Sequence, residues 1–380
     1  MNITRDTTTV EGDNQSQRPK VRGEDLPTPS PNFAFYNAER QRALDFDPRK
    51  AENYARYTAA KRTPDIDYLP VKMDIENVSR CNFACTMCQV SAWPGRKRAE
   101  DMPLKKFRNL IDSQYGLVEI KIQGMGEPTM QGDDYFEMIR YARARHIWVR
   151  TTTNASLLHL HDNYKKLIDA DPNDVQISVD GADKLVYEDI RRGGKFEQVK
   201  KNCRLINDYC REKDINVTQM WVVLQSANIS QMRQFVGLAH ELGFRRLSIA
   251  LNLNDWGQDS WKDTNTAVTV ENQVSVEQSW AAVEEGRALG IDVGFWNNTS
   301  KYSSRSADKL CPWPFERAYV SSDLRVVPCC MIGTPDVLDL GDANSFTDLW
   351  HGQTFQDFRQ AHLDGDIPRA CQGCYEAKNE

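Results

Sequence analysis

The sequence lacks a long hydrophobic run, a secretory signal and a dominant charge. Nothing in its 380 residues approaches the roughly 18 uninterrupted apolar residues of a membrane span. The opening stretch MNITRDTTTVEGDNQ has no apolar segment of the kind that directs export. Lys and Arg number 48 against 54 Asp and Glu, a net charge of −6 without a strong basic stripe, which disfavours nucleic acid as the main partner. We therefore predict a globular, cytoplasmic protein with no membrane partner and no nucleic-acid partner.

The chain divides into four predicted segments. Residues 1–31 are rich in Thr, Asp, Asn, Gln and Pro and have too few apolar side chains to bury, which predicts a disordered tail. Residues 32–68 carry AERQRALDF and RKAENYARYTAAKR, which predict an N-terminal arm of one or two helices. Residues 69–300 form the predicted core, and residues 301–380 a smaller second domain.

Short β-branched runs alternate with amphipathic helices through the core. The strand candidates are 71–79, 118–124, 147–154, 174–181, 216–225 and 245–253, and 288–296 is a seventh apolar run. Strand–helix alternation predicts parallel strands joined by right-handed crossovers. The fold class is therefore α/β, either a partial (β/α)6 barrel or an open sheet. In the second domain, residues 318–330 predict a hairpin, followed by one or two terminal helices.

Three of the ten cysteines form a C-x3-C-x2-C run directly after the first strand: Cys81, Cys85 and Cys88. Cytosolic thiols are kept reduced, so clustered cysteines indicate metal ligands rather than disulfides. Thiolates at this spacing can hold three corners of a cubane iron–sulfur cluster and leave one iron open. The alternative is a zinc site that borrows a remote fourth ligand.

This motif resembles that of the radical S-adenosylmethionine (radical SAM) superfamily. The resemblance implies that the methionine part of S-adenosylmethionine chelates the open iron of a [4Fe–4S] cluster. An electron donor such as flavodoxin or ferredoxin reduces that cluster, and cleavage of the sulfonium yields a 5′-deoxyadenosyl radical that abstracts hydrogen from a substrate carbon. The family usually has an aromatic residue before the third cysteine, where this chain has Met87; a methionine can still pack against an adenine ring.

Further matches to the family follow the predicted strands. Gly124-Met125-Gly126-Glu127-Pro128 resembles the Gly-Gly-Glu-Pro motif with one glycine replaced, and the resemblance assigns the methionine amino group to this segment. Thr153-Asn154-Ala155 stands where the family often has Thr-Asn-Gly. Taken alone, each segment is compatible with an ordinary turn. The predicted cofactor-binding residues of these two segments are Gly126, Glu127 and Asn154.

Two more segments complete the predicted cofactor site. Ser178-Val179-Asp180-Gly181 resembles the family segment that meets the carboxylate and ribose of the cofactor. Arg191 lies in Ile190-Arg191-Arg192-Gly193, which resembles the segment whose arginine pairs with that carboxylate. Ligands of barrel folds meet the loops at the carboxyl ends of the strands, which is where these segments fall.

Five cysteines lie in the predicted second domain: Cys311, Cys329, Cys330, Cys371 and Cys374. The layout resembles the SPASM/twitch extensions of the superfamily, and it implies one auxiliary [4Fe–4S] cluster held by Cys311, Cys329, Cys371 and Cys374. Cys330 is left over, either as a replacement for Cys329 or as a packed thiol. The alternative is a structural zinc ribbon.

The predicted function is a radical SAM oxidoreductase of the dehydrogenase type, acting on a small molecule such as a sugar or aminocyclitol. The auxiliary cluster would accept an electron from the substrate radical. An epimerase and a peptide-modifying maturase are the alternatives within the family, although residues 1–68 lack the pattern of a leader-binding domain. A zinc-stabilised α/β binding protein is the non-enzymatic alternative. No residue is assigned to catalysis by the sequence.

Overall fold

A computed structural model describes residues 26–28, 33–271, 273–296 and 301–376. Apart from residues 26–28, the predicted disordered tail lies outside the described residues, and its disorder stays a prediction.

Helices and strands alternate along most of the described chain. The helices are α1 (Phe33–Phe46), α2 (Pro48–Ala59), α3 (Leu104–Ser113), α4 (Asp133–Arg143), α5 (Asn163–Asp169), α6 (Lys184–Ile190), α7 (Phe196–Glu212), α8 (Met232–Glu241), α9 (Asp259–Thr266), α10 (Val276–Ala288), α11 (Trp313–Glu316), α12 (Phe346–His351) and α13 (Gln353–Leu363). The strands are β1 (Lys72–Ile75), β2 (Glu119–Ile122), β3 (Trp148–Thr153), β4 (Asp174–Ser178), β5 (Thr218–Val223), β6 (Arg246–Ala250), β7 (Asp292–Trp296), β8 (Arg317–Val320), β9 (Arg325–Val327) and β10 (Gly341–Asp342).

All ten described strands belong to one sheet, in the order β10-β9-β8-β1-β2-β3-β4-β5-β6-β7. Strands β1 to β7 are parallel to their neighbours. The order ends at β7 on one side and β10 on the other, so the sheet does not close on itself. The predicted α/β class and partial barrel are confirmed, and the seventh apolar run contains β7.

The two faces of the sheet differ in polarity, as β2 illustrates. Ile120 and Ile122 point to the helix-covered face and are fully buried, since successive side chains of a strand alternate between faces. Glu119, Lys121 and Gln123 point to the opposite, inner face, and the last two are partly exposed. Because the helix-facing neighbours have no exposed surface, solvent reaches Lys121 and Gln123 from the inner face.

The N-terminal arm lies against the amino ends of the strands. Tyr36 of α1 donates a hydrogen bond of 2.8 Å to Glu119 at the start of β2. At the sheet edge, the carbonyl of Pro27 accepts a hydrogen bond of 2.8 Å from the amide of Phe295 in β7. This contact covers part of an edge that would otherwise expose unpaired backbone groups.

The sheet continues across the predicted domain boundary at residue 300. Strand β8 pairs in parallel with β1, placing Lys72 opposite Arg317, and β9 and β10 extend the same sheet antiparallel. The cysteine-rich tail is thus built directly onto the first strand of the barrel. No helix among the described residues is long and apolar enough to cross a membrane.

Candidate active site

The loop after β1 brings Cys81, Cys85 and Cys88 together. Burial raises the pKa of the Cys81 thiol, and the nearby Cys85 and Cys88 raise it further. All three thiols are free. The local fold is fixed by backbone bonds, including one of 3.2 Å from the Cys88 amide to the Cys85 carbonyl. The amide of Phe83 also donates to the Cys81 sulfur at 3.4 Å.

The loop of residues 124–128 packs against the backbone at the start of the cysteine loop. The Glu127 amide donates to the Arg80 carbonyl at 2.9 Å. A Cβ on Gly126 would stand 2.4 Å from that carbonyl oxygen and 2.5 Å from the carbonyl oxygen of Val78. Position 126 therefore requires glycine because two backbone segments approach closely there.

The carboxylate of Glu127 is buried and fully engaged with protein donors. One oxygen accepts from the Thr129 hydroxyl at 2.6 Å and the Thr153 hydroxyl at 2.7 Å. The other oxygen accepts a hydrogen bond of 2.7 Å from the backbone amide of Asn154. Burial raises the pKa of this carboxyl, and these hydrogen bonds oppose the rise. Glu127 thus ties its own loop to the end of β3, while its contact with the cofactor amine stays a prediction.

Asn154 faces the cysteine loop. Its side-chain nitrogen, Nδ2, donates a hydrogen bond of 3.0 Å to the side-chain oxygen of Asn82 and lies 4.0 Å from the Cys81 sulfur. Ala155, where the family often has glycine, has a φ of 61°. This left-handed backbone is the one that glycine adopts without strain, so Ala155 holds a conformation that favours glycine, the residue that the resemblance predicts at this position.

Asp180 and Arg191 form a buried ion pair beside the cysteine loop. Asp180 accepts from Arg191 through Nε at 2.8 Å and Nη2 at 2.7 Å, and its other oxygen accepts from the Val223 amide at 2.8 Å. Arg191 lies near Cys85, whose pKa it lowers against the larger effect of burial. Ser178 lies at the end of β4 in register with Trp221. The structure therefore places Asp180 and Arg191 beside Cys85.

The auxiliary cysteines also come together. Burial raises the pKa of Cys329, and Cys330, Cys371, Cys374 and Cys311 raise it further. Cys330 has different surroundings, since burial raises its pKa to about 11 and its nearby charged groups are Asp74, Lys121 and Arg317. The side chains thus favour Cys329 as the fourth member of the set.

The thiols of both cysteine sets suit an iron–sulfur cluster, because the irons of such clusters take cysteine thiolates as ligands. Among the described residues, no three His, Cys, Asp or Glu side chains converge closely enough to hold one metal ion. Cubane ligands instead surround a cluster, because each thiolate binds a different iron. The first set has three free thiols and the tail has five, and which four of those five bind a cluster stays a prediction.

The sequence did not predict that Met125 lies between the barrel cysteine loop and the segment that follows Cys330. The sulfur of Met125, the residue that departs from the Gly-Gly-Glu-Pro pattern, accepts a hydrogen bond of 3.2 Å from Gln89. A Cβ on Gly333, shortly after Cys330, would stand 2.6 Å from the methyl carbon of Met125. The departure itself was the only signal in the sequence, and it carried no information about the partner.

Comparison with known families gives two matches. The sequence model of the radical SAM superfamily matches residues 77–239, and that of an iron–sulfur cluster-binding domain, SPASM, matches residues 311–375. The first range contains the three-cysteine loop, and the second contains all five cysteines of the tail.

Individual relatives are distant. Mycofactocin maturase MftC of Mycolicibacterium smegmatis is 26% identical over 227 residues, which are 60% of this chain and 55% of that protein. The chain thus spans little more than half of that relative. The PqqA peptide cyclase of Methylorubrum populi is 25% identical over 290 residues, 72% of this chain and 69% of that protein. The crystal structure of Streptococcus suis SuiB bound to precursor peptide SuiA has a TM-score of 0.61 at 15% identity, covering 82% of this chain and 69% of that one; at this identity it shows the fold alone.

An open α/β barrel with a three-cysteine loop and a cysteine-rich tail defines the class of iron–sulfur proteins. More particularly, residues 77–239 form a radical SAM domain, and residues 311–375 form a C-terminal SPASM-type iron–sulfur cluster-binding domain. It binds S-adenosylmethionine and [4Fe–4S] clusters, one of them auxiliary.

Proposed function

We propose that this radical SAM enzyme modifies a peptide. Cys81, Cys85 and Cys88 would hold the cluster that binds S-adenosylmethionine, and Cys311, Cys329, Cys371 and Cys374 would hold the auxiliary cluster. When bound, these groups supply a 5′-deoxyadenosyl radical for hydrogen abstraction and a site that accepts one electron.

The protein residues would bind and orient the cofactor. The 124–128 loop presents backbone groups toward the cysteine loop, and Arg191 supplies a guanidinium beside Cys85. Because Asp180 already pairs with Arg191 at 2.7 Å, that arginine is held in one orientation before any ligand binds. Preorganised donors of this kind reduce the ordering cost of binding.

The observation that carries the peptide proposal is the match to the PqqA peptide cyclase along 72% of this chain. Its name identifies a peptide as substrate, and the SuiB structure holds a precursor peptide. The sugar or aminocyclitol predicted from the sequence has no comparable support among the relatives reported above.

The inner face of the sheet supports access for part of a substrate. On β5, Trp221 and Val223 are partly exposed, while the alternate residues Met220 and Val222 are fully buried. By the same alternation as in β2, the exposed surface belongs to the inner face. A side chain of a bound peptide would reach this face below the cysteine loop.

The proposal is tested with anaerobically reconstituted enzyme, S-adenosylmethionine and dithionite. Synthetic peptides encoded by small reading frames beside the gene form one set of probes, and simple sugars and aminocyclitols form the other. We expect one peptide to raise the yield of 5′-deoxyadenosine and to change in mass. Stimulation by a small molecule alone, with no peptide altered, would overturn the proposal.

Two matched cysteine variants distinguish chemistry at the barrel cluster from a general effect of losing cysteines. Replacing Cys81, Cys85 and Cys88 with Ala should abolish 5′-deoxyadenosine and peptide modification together. Replacing Cys203 and Cys210 with Ala should preserve both, because these two thiols are buried in the apolar core on α7 and face no cluster.

A further inference from the structure

Glu76 follows β1 at the carboxyl end of the strand, and its side chain is completely buried. A buried carboxylate is costly unless charged or polar partners satisfy it. Nothing in the family motifs assigns a role to this residue. Its partners come from three separate segments of the chain.

The first partner is the cofactor-binding loop. One oxygen of Glu76 accepts a hydrogen bond of 3.0 Å from the backbone amide of Met125. The preceding residue must be glycine for this approach, since a Cβ on Gly124 would stand 2.2 Å from the Cγ of Glu76. The carboxylate therefore sets the backbone directly before Gly126 and Glu127.

The second partner is the turn between β8 and β9, which leads into Cys329. The other oxygen of Glu76 accepts from the Ser322 amide at 3.1 Å. Arg98 completes the arrangement by donating to the same oxygen at 3.2 Å and to Asp323 at 2.7 and 2.9 Å. One carboxylate thus joins the barrel loop to the β8–β9 hairpin, which Cys329 follows.

We propose that Glu76 is a positioning residue for the S-adenosylmethionine site, holding the 124–128 loop in its binding conformation and fastening it to the hairpin before Cys329. Hydrogen bonds to a charged acceptor are stronger than those to a neutral one, so the charge of Glu76 matters as well as its shape. The inference concerns the cofactor site and does not depend on the substrate being a peptide.

The test variant is Glu76→Gln, which keeps the shape but removes the charge and places an NH₂ group against N–H donors. We expect reconstituted Glu76→Gln to keep the wild-type iron content, while its dissociation constant for S-adenosylmethionine rises by about 10-fold. Amide hydrogen exchange in the turn between β8 and β9 should become faster.

The matched control is Glu119→Gln. Glu119 is also a buried carboxylate on the inner face, 3.6 Å from Arg317, but it lies at the amino end of β2. We expect this variant to lose stability but to bind S-adenosylmethionine within about 2-fold of wild type. Amide exchange in the turn should stay unchanged, because substitutions at distant sites act independently.

Unchanged affinity in Glu76→Gln, or an equal loss in Glu119→Gln, would overturn the inference. If Glu76→Gln does not fold, Glu76→Asp decides the question, because it keeps the charge but withdraws the carboxylate by one methylene. That variant cannot reach Met125 and Ser322 at once, so we expect an affinity loss of about 3-fold or more; wild-type affinity would contradict the proposal.

Discussion

Cys329 and Cys330 are adjacent in the sequence, but their side chains face different surroundings. Cys329 lies near the other three tail cysteines, whereas Cys330 lies near Asp74 and Lys121 on the inner face of the barrel. The sequence left open which of the two binds the auxiliary cluster, because spacing along a loop does not determine where each thiol points.

Serine replacements of the two cysteines should therefore differ. We expect Cys329→Ser to lose about half of the iron after reconstitution, and Cys330→Ser to retain the wild-type content. Iron and sulfide analysis measures both. The reverse pattern would move the ligand assignment from Cys329 to Cys330.

His362 on α13 predicts a pH dependence of stability. Its Nδ1 lies 2.8 Å from the Tyr375 hydroxyl, and burial lowers its pKa to about 4. An unfolded chain binds a proton at His362 below about pH 6.5, whereas the folded protein does not until about pH 4. Stability is therefore complete above pH 6.5 and falls as the pH decreases from 6.5 toward 4.

We expect the unfolding free energy to drop by about 1 kcal/mol between pH 7.5 and 5.5 on account of His362. The variant His362→Gln has no such group, so its stability should fall less over the same interval. Anaerobic denaturant unfolding at several pH values measures the difference. Parallel pH profiles for the two proteins would contradict the predicted protonation.

At the scale of elements, local patterns predicted the strands well, because runs rich in β-branched residues bounded by helices identify strands without tertiary information. Each of the six predicted runs contains one observed parallel strand. The pairing of β8 with β1 was not predictable, since it joins segments that are distant in the chain.

The candidate site likewise contains features that the sequence predicts and features that it does not. The family motifs placed Gly126, Glu127, Asn154 and Arg191 on the loops that the structure brings beside the cysteines. The hydrogen bonds of Glu76 to three separate segments were not predictable, because they depend on how those segments meet in the folded protein.

The 124–128 loop has no room for an added side chain at Gly126. We expect Gly126→Ala to weaken S-adenosylmethionine binding by about 10-fold or more, because its Cβ would collide with backbone carbonyls and overpacking typically costs about 1–3 kcal/mol. Equilibrium binding to the reconstituted protein measures this.

Gly237→Ala provides the control for that experiment. Beyond the backbone of its own helix, no atom of the described residues lies within 4 Å of a Cβ at this position. Gly237 lies inside α8, where alanine is favoured by about 1 kcal/mol. We expect unchanged cofactor affinity and equal or higher stability. Wild-type affinity in Gly126→Ala would show that the loop tolerates a shift and does not set the site.

At the scale of the whole molecule, one continuous sheet supports two cysteine sets with different numbers of thiolates. As predicted from the sequence, the barrel set would leave one iron without a protein ligand, and the tail set would leave none. Replacing Cys371 and Cys374 with Ala should therefore remove about half of the iron while the barrel cluster remains. Loss of all the iron would show that the two sites do not assemble independently.

Electron paramagnetic resonance of this Cys371→Ala, Cys374→Ala double variant gives the most direct test, because only the barrel cluster contributes to its spectrum. The oxygen-free, dithionite-reduced protein is recorded before and after addition of S-adenosylmethionine. A shift of the g-values on addition is expected if the cofactor coordinates the fourth iron of a cluster held by Cys81, Cys85 and Cys88. An unchanged spectrum at saturating cofactor would contradict that assignment.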